Sequence, residues 1–165
     1  MFLKNNIQAY LDDFNEINIK SEIEIESVII FIDGEKIELY SGALQKNIKI
    51  IHTLSLPLNQ EYELHINKKI IIPLIKRGIV HTKLFDAKYY YDGKLGCEYN
   101  KEFSTFRLWT PVASLVLLEL WNDDNQVVIP LEYDNGCYFV NVDGDYLFYE
   151  YRYLVRVNGQ LNEVV

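Results

Sequence analysis

Hydrophobic and polar positions along the chain follow two different periods. Ile7, Tyr10, Leu11 and Phe14 are spaced i, i+3, i+4 and i+7, which is one face of a helix, so a short N-terminal helix is predicted. From residue 17 to 33 the sequence INIKSEIEIESVIIFID alternates isoleucine with polar residues. A period of two places every second side chain on the same face of a sheet, and this segment is predicted to be a half-buried strand.

Turn signals divide the rest of the chain into short strands. Asp33-Gly34 separates two apolar runs and predicts a tight hairpin, because both turn positions require a positive φ. Proline, Asn-Asp, Asn-Gly and Asp-Gly separate the later runs. Short apolar runs that recur about every 8–12 residues, with turn signals between them, predict antiparallel β-sandwiches. The runs cover residues 48–54, 62–66, 70–75, 79–85, 105–109, 114–121, 126–133, 137–142 and 148–157.

A change of composition marks a boundary between two domains. The isoleucine-rich first half gives way to a tyrosine-rich second half across residues 76–88, KRGIVHTKLFDAK. No low-complexity linker separates the halves. We predict an all-β protein of two tandem antiparallel β-sandwich domains, covering residues 1–84 and 85–165, with the short N-terminal helix at the start of the first.

Charge and length limit the classes of partner. The 165 residues carry a net charge of −8, which disfavours nucleic-acid binding because that affinity comes largely from Lys and Arg contacts with phosphates. Neutral partners such as sugars, or another protein surface, suit this balance. Neither a secretory signal nor an apolar run of about 18 residues is found, so we expect a cytoplasmic protein with no membrane partner. Cys97 and Cys137 are then expected to be reduced thiols.

No combination of residues predicts catalysis. His52, His65 and His81 lack cysteine or carboxylate neighbours at metal-ligand spacing, so neither a metal nor another cofactor is expected. Nucleophile and phosphate-binding motifs are missing. Acidic residues alternate with isoleucine on strand faces or lie in turns, as Asp123-Asp124 does, and Asp143-Gly144-Asp145 is predicted to be a hairpin turn.

Aromatic residues give the strongest functional signal. The chain has 13 tyrosines, most of them after position 88, and flat aromatic side chains are the usual means of holding the apolar face of a sugar ring. Alternation places Phe106 on the core side of its strand, with Arg107 and Trp109 opposite. In the next long strand it places Glu119 and Trp121 opposite the core. Exposed tryptophan is costly to leave in water, so each tryptophan is expected to meet a partner.

Residues 89–121 read YYYDGKLGCEYNKEFSTFRLWTPVASLVLLELW, and this stretch resembles the start of the family 48 carbohydrate-binding module of type I pullulanases. The family pattern runs aromatic-YDG-x-LG-x-x-Y and then F-x-V/L-W-A-P-x-A-x-x-V-x-L. Residues 135–159 are similar to the closing hairpin of that module, residues 78–93 to its junction with a preceding β domain, and residues 7–19 to the opening of such enzymes. The matching positions are Tyr91, Asp92, Gly93, Leu95, Gly96, Tyr99, Phe106, Leu108, Trp109, Pro111, Ala113, Val116 and Leu118.

The resemblance implies that residues 85–165 form an immunoglobulin-like sandwich. Type I pullulanases are family 13 glycoside hydrolases that cut the α-1,6 branches of pullulan, glycogen and starch. Thr110 and Phe148 depart from the pattern, standing where the family usually has Ala and often Gly. The family continues beyond the position of Val165 into a catalytic barrel of about 250 residues, and its Y-N-W-G-Y-D-P motif is missing here. The resemblance therefore implies a fragment without catalytic residues or activity of its own.

Two roles follow for the aromatic residues under this resemblance. Trp109 and Arg107 are expected to dock against the family's catalytic domain. Trp121 and Tyr138 are the candidates for stacking on α-glucan, the alternative being that they cover apolar surface or meet the catalytic barrel. A different hypothesis for the whole chain is a stand-alone glycan-binding or scaffold module.

Overall fold

A computed structural model describes residues 6–165. These residues divide into two compact units, one ending at Asp86 and the other running Ala87–Val165. The first five residues of the predicted N-terminal domain lie outside the described range. Strands dominate both units, which confirms the predicted all-β class. Within residues 6–165 no helix is long and apolar enough to cross a membrane.

The first unit is built on one five-stranded sheet with the order β1-β5-β4-β2-β3. Strand β1 also pairs with β2. The strands β1, β5, β4 and β2 are therefore paired in a closed ring, and β3 pairs with β2 outside it. Only the β1–β5 pair, among the strands described in this unit, is parallel. The strands are β1 (Ile7–Asp13), β2 (Glu16–Ile32), β3 (Glu35–Ile51), β4 (Glu63–Ile66) and β5 (Ile70–Lys76).

The alternating isoleucines of β2 form the core of this sheet. Ile17, Ile19, Ile25 and Ile30 are all at most 1% exposed. The first part of β2 pairs with β1 and the last part with β4, while β3 follows it along most of its length. The predicted hairpin is confirmed, since residues 33 and 34 have φ of 50° and 80° and join β2 to β3.

The predicted N-terminal helix is wrong, because residues 7–13 form strand β1. Ile7, Ala9 and Leu11 alternate and are buried, whereas Tyr10 is only partly buried. The same segment fits both periods over one short stretch, since Ile7 and Leu11 belong to either pattern. Pairing with β2 on one side and β5 on the other decides in favour of the strand.

The segment between the two halves is helical rather than extended. A 3-10 helix spans Gly78–His81 and helix α1 spans Lys83–Lys88. The Thr82 hydroxyl accepts a hydrogen bond from the Phe85 amide at 3.1 Å, so Thr82 caps the start of α1. The apolar run at 79–85 is therefore a helical turn that buries Ile79 and Phe85 instead of a strand.

The second unit is a sandwich of two antiparallel four-stranded sheets, as the sequence predicted. One sheet has the order β10-β11-β7-β6, and the other has the order β13-β12-β8-β9. The strands are β6 (Gly96–Tyr99), β7 (Phe103–Trp109), β8 (Leu115–Trp121), β9 (Gln126–Pro130), β10 (Glu132–Asp134), β11 (Cys137–Asp143), β12 (Glu150–Val157) and β13 (Gln160–Val164).

The inward faces of the two sheets share one apolar core. Phe106 and Tyr138 come from the first sheet, and Val116, Leu118 and Leu120 come from β8 of the second. The predicted core face of β8 is therefore confirmed. Its opposite face carries Trp121 toward the outside.

The turns of the second unit differ in what they connect. Asp123-Asp124 lies in the β8–β9 hairpin, and Asn135-Gly136 lies in the β10–β11 hairpin. The prediction of a hairpin at 143–145 is wrong, because β11 and β12 belong to different sheets. That segment is a loop from one sheet to the other, and Gly144 has φ of 117°.

Candidate functional site

Trp121 lies at the end of β8, beside the tight turn that leads into β9. Gln126 is its partner across the hairpin and Glu150 is its partner on β12. The guanidinium carbon of Arg152 lies 5.5 Å from the centroid of the Trp121 ring, which is a cation–π distance. Trp121 is half-buried, so its ring is held from one side while part of it stays accessible.

A polar network lies next to this ring. Arg152 faces Glu119 across β12 and β8 and donates to its carboxylate through Nε. The Gln126 side-chain amide donates to the other carboxylate oxygen. Arg152 Nη1 also forms an ion pair with Glu163 at 2.9 Å. The Arg152 and Gln126 side chains beside Trp121 are therefore fixed in place by partners on neighbouring strands.

The ion pair shifts both titrating groups toward their charged forms. The Arg152 hydrogen bond holds the pKa of Glu119 below its ordinary value of 4.5. The hydrogen bond to Glu119 in turn raises the pKa of Arg152. Glu119 and Arg152 line a cleft together with Trp121, Gln126 and the β8–β9 turn, so this cleft contains a carboxylate and a guanidinium at neutral pH.

The β8–β9 turn closes one end of the cleft. Asn122 Oδ1 accepts hydrogen bonds from the amides of Asp124 and Asn125, at 3.1 and 2.8 Å. This Asx turn fixes the loop and leaves the two turn carboxylates at the cleft margin. An aromatic ring bordered by carboxylate, guanidinium and amide groups can stack on an uncharged ring and hydrogen-bond its hydroxyls.

Tyr138, the other residue expected to stack on sugar, lies in the core instead. It is 4% exposed, and its hydroxyl donates to the Ala113 carbonyl at 2.6 Å. Burial raises its pKa to about 12. Alternation along β11 turns this ring inward between the sheets, so the expectation of a sugar platform at Tyr138 is corrected: only Trp121 of that pair is accessible.

Trp109 and Arg107 lie on the outer side of the other sheet of the second unit. Trp109 is 39% exposed, and its indole N–H donates to the Tyr89 carbonyl at 2.8 Å. Arg107 pairs with Glu98, which also accepts from Lys94 at 2.9 Å. The hydrogen bonds from Lys94 and Arg107 lower the pKa of Glu98. Trp109 therefore combines a fixed indole edge with an accessible ring.

Sequence reasoning missed Arg152 and Gln126 as neighbours of Trp121. Alternation had placed Glu119 on the face of Trp121, but it does not say which strand pairs with β8. That partner is β12, which follows 28 residues after β8 ends. A charged pair on two strands otherwise rich in apolar residues is the one signal that could have linked Glu119 with Arg152.

The histidine, cysteine and acidic side chains were compared with the arrangement that a metal ion needs. Among residues 6–165, no group of three or more His, Cys, Asp or Glu side chains is arranged to hold an ion. Cys97 and Cys137 are free thiols, one exposed and the other buried.

Comparison with known proteins gives similarity to pullulanases over almost the whole chain. No family model matches. A pullulanase of Bacillus subtilis (strain 168) is 24% identical, with 99% of this chain and 24% of the relative covered. The crystal structure of pullulanase type I from the same organism, complexed with maltose, has a TM-score of 0.86 at 22% identity and covers 99% of this chain.

A second solved structure gives the same result. Pullulanase from Anoxybacillus sp. LM18-11, complexed with maltotriose, has a TM-score of 0.85 at 24% identity over 97% of this chain. The chain spans about a quarter of the length of these relatives. The resemblance to type I pullulanases expected from the sequence is confirmed, and the part resembled is their N-terminal, non-catalytic region.

Proposed function

We propose that the chain is the non-catalytic front part of a pullulanase-like hydrolase that cleaves α-1,6 branches in α-glucans. The observation that carries this proposal is a TM-score of 0.86 across 99% of this chain but only 25% of a type I pullulanase. A catalytic (β/α)₈ barrel needs about 250 residues, and the residues described here form two β units instead. The reaction in this proposal belongs to a further domain.

The second unit serves in this proposal as a family-48-type carbohydrate-binding module. Trp121 and the Glu119–Arg152–Gln126 network support this role, because they combine a stacking surface with fixed hydrogen-bonding groups. The two structural relatives above were solved with maltose and maltotriose. These are short α-glucans, and they indicate the class of ligand to test.

The opposite sheet of the second unit provides the docking surface for the catalytic domain. Trp109 supports this role because its ring stays accessible while its indole N–H is already satisfied. An aromatic side chain held in this way loses little conformational freedom when a partner covers it. Arg107 adds a charged group on the same face.

Affinity electrophoresis of the 165-residue chain tests glucan binding. Glycogen or pullulan in the gel is expected to retard the wild type, and Trp121→Ala is expected to abolish most of that retardation. Trp109→Ala is the matched control and should migrate like the wild type. If the wild type runs equally in gels with and without glucan, the sugar-binding role is refuted.

Tryptophan fluorescence tests the docking role separately. A Trp121→Phe variant leaves Trp109 as the single tryptophan of this chain. Acrylamide should quench Trp109 less when the chain is joined to a pullulanase catalytic domain than when it is alone. Equal quenching in both forms contradicts docking. Glucan retardation combined with equal quenching favours the stand-alone glycan-binding module.

A further inference from the structure

A second cavity of the Ala87–Val165 unit lies away from Trp121, between the two sheets. It has a volume of about 180 Å³. Its walls come from Cys97 on β6, Ser104 and Phe106 on β7, Leu120 on β8 and Tyr151 on β12. The loop that connects β11 with β12 closes its remaining side. Both sheets and one loop therefore contribute to one pocket.

The lining is uncharged and mostly apolar. Among the described residues that line the cavity, none is Asp, Glu, Lys, Arg or His. A charged ligand would lose its hydration without gaining a counter-ion there. A sugar would bury several hydroxyls against apolar walls, so the cavity differs in kind from the polar cleft at Trp121.

One polar group in the wall is left without a partner. Ser104 is 0% exposed, lines the cavity, and its Oγ makes no hydrogen bond with the residues described. A buried hydroxyl without a partner costs free energy, because it has lost its hydrogen bonds to water. A ligand that brings one hydrogen-bonding group to Ser104 would recover that cost.

The closing loop carries an unusual residue at the cavity margin. Phe148 has φ of 69°, in the left-handed region that disfavours side chains, and the residue is 88% exposed. The loop is held beside it, since Asp145 Oδ1 accepts from the Leu147 amide at 3.0 Å and from the Tyr99 hydroxyl at 2.9 Å. A fixed loop with one exposed aromatic ring can contact a guest without first having to fold.

We propose that this cavity is a binding site for a small uncharged aromatic molecule with a single hydroxyl, of the size of phenol. The volume supports this size, since an apolar cavity of about 150 Å³ accommodates benzene. The ring would pack among Phe106, Leu120 and Tyr151, and the hydroxyl would exchange a hydrogen bond with Ser104 Oγ. The site is independent of the glucan cleft.

The test is a titration of the isotopically labelled 165-residue chain with phenol and, in parallel, with toluene, followed by amide NMR shifts. Phenol is expected to shift the amides of Ser104, Leu147, Phe148 and Tyr149. Ser104→Ala should weaken phenol binding about fivefold, the loss of one hydrogen bond, and should leave toluene binding equal or tighter. Ser114→Ala, at a partly exposed serine of the same unit that does not line the cavity, should change neither.

A second measurement uses the wild type alone. Cys97 is exposed at the cavity and Cys137 is buried, so alkylation reports on Cys97. Phenol should slow that reaction, whereas maltose should not. The proposal is overturned if phenol shifts cluster elsewhere, if Ser104→Ala weakens phenol and toluene equally, or if Cys97 reacts at the same rate with phenol.

Discussion

The hydroxyl of Tyr138 donates a 2.6 Å hydrogen bond to the carbonyl oxygen of Ala113, and this contact joins the two sheets of the second unit. Tyr138 belongs to β11 in one sheet, and Ala113 lies in the turn that leads into β8 of the other. Both residues are buried in the shared core. Tyr138 therefore holds the two sheets of the sandwich together and does not offer its ring to a sugar.

Tyr138→Phe is expected to destabilise the second unit by about 1–2 kcal/mol, because the buried carbonyl loses its donor while the ring still fills the core. Urea unfolding of this variant and of the wild type measures the difference. Glucan retardation in the gel should stay unchanged in the folded variant. A loss of retardation without a loss of stability would instead show that Tyr138 contributes to glucan binding.

The ion pair between Glu119 and Arg152 predicts a dependence of stability on pH. The pKa of Glu119 is lower in the folded chain than in the unfolded chain. Its contribution is therefore complete above the ordinary pKa of 4.5 and is lost as pH falls through the lowered folded value. Glu119→Gln should be less stable than the wild type at pH 7.

The difference between wild type and Glu119→Gln should narrow below pH 4.5, when the wild-type carboxylate takes up a proton. Urea unfolding at a series of pH values from 7 to 3, expressed as a difference between the two proteins, checks this. Glu132→Gln, at an exposed position of β10, is a control for the general effect of removing one negative charge. A stability difference between the two proteins that stays constant with pH would show that the ion pair contributes nothing through its charge.

Gly136 is expected to tolerate no side chain. It has φ of 95°, and a Cβ there would lie 2.9 Å from Tyr89 Cδ1 and 3.0 Å from Pro111 Cγ. Gly136→Ala should cost about 2 kcal/mol or more in unfolding free energy, from the left-handed backbone and the clash together. Gly159 has φ of 75°, but a Cβ there would meet open space. Gly159→Ala should therefore lower the unfolding free energy by only about 1 kcal/mol. Equal losses would mean that the surrounding ring and proline move aside freely.

The backbone conformation of Phe148 predicts that glycine is more stable than alanine at this position. Its φ of 69° is one that glycine adopts without strain, whereas side chains pay about 1–2 kcal/mol. Phe148→Gly should therefore be more stable than Phe148→Ala by about 1 kcal/mol, since both remove the ring and only one relieves the backbone. Thermal unfolding of the two variants measures this. The reverse order would indicate that the loop changes conformation once the ring is gone.

The sequence alone determined the turns and strand faces whose signals lie in adjacent residues. The turn at Asp33-Gly34 needs positive φ, and alternation along residues 114–121 separates a core face from an outer face. These features depend on backbone sterics and on the two-residue period of a strand. The motif at residues 89–121 also carried the resemblance to type I pullulanases.

Only the tertiary structure decided the features that depend on strand pairing. Residues 7–13 fit a helical and a strand period equally well, and contact with β2 and β5 makes them a strand. Residues 143–145 have the composition of a hairpin turn but cross between sheets, because β12 pairs with β8. The same pairing brings Arg152 to Glu119 and Trp121. Register between strands distant in sequence is set by packing of the whole unit, and a linear pattern does not contain it.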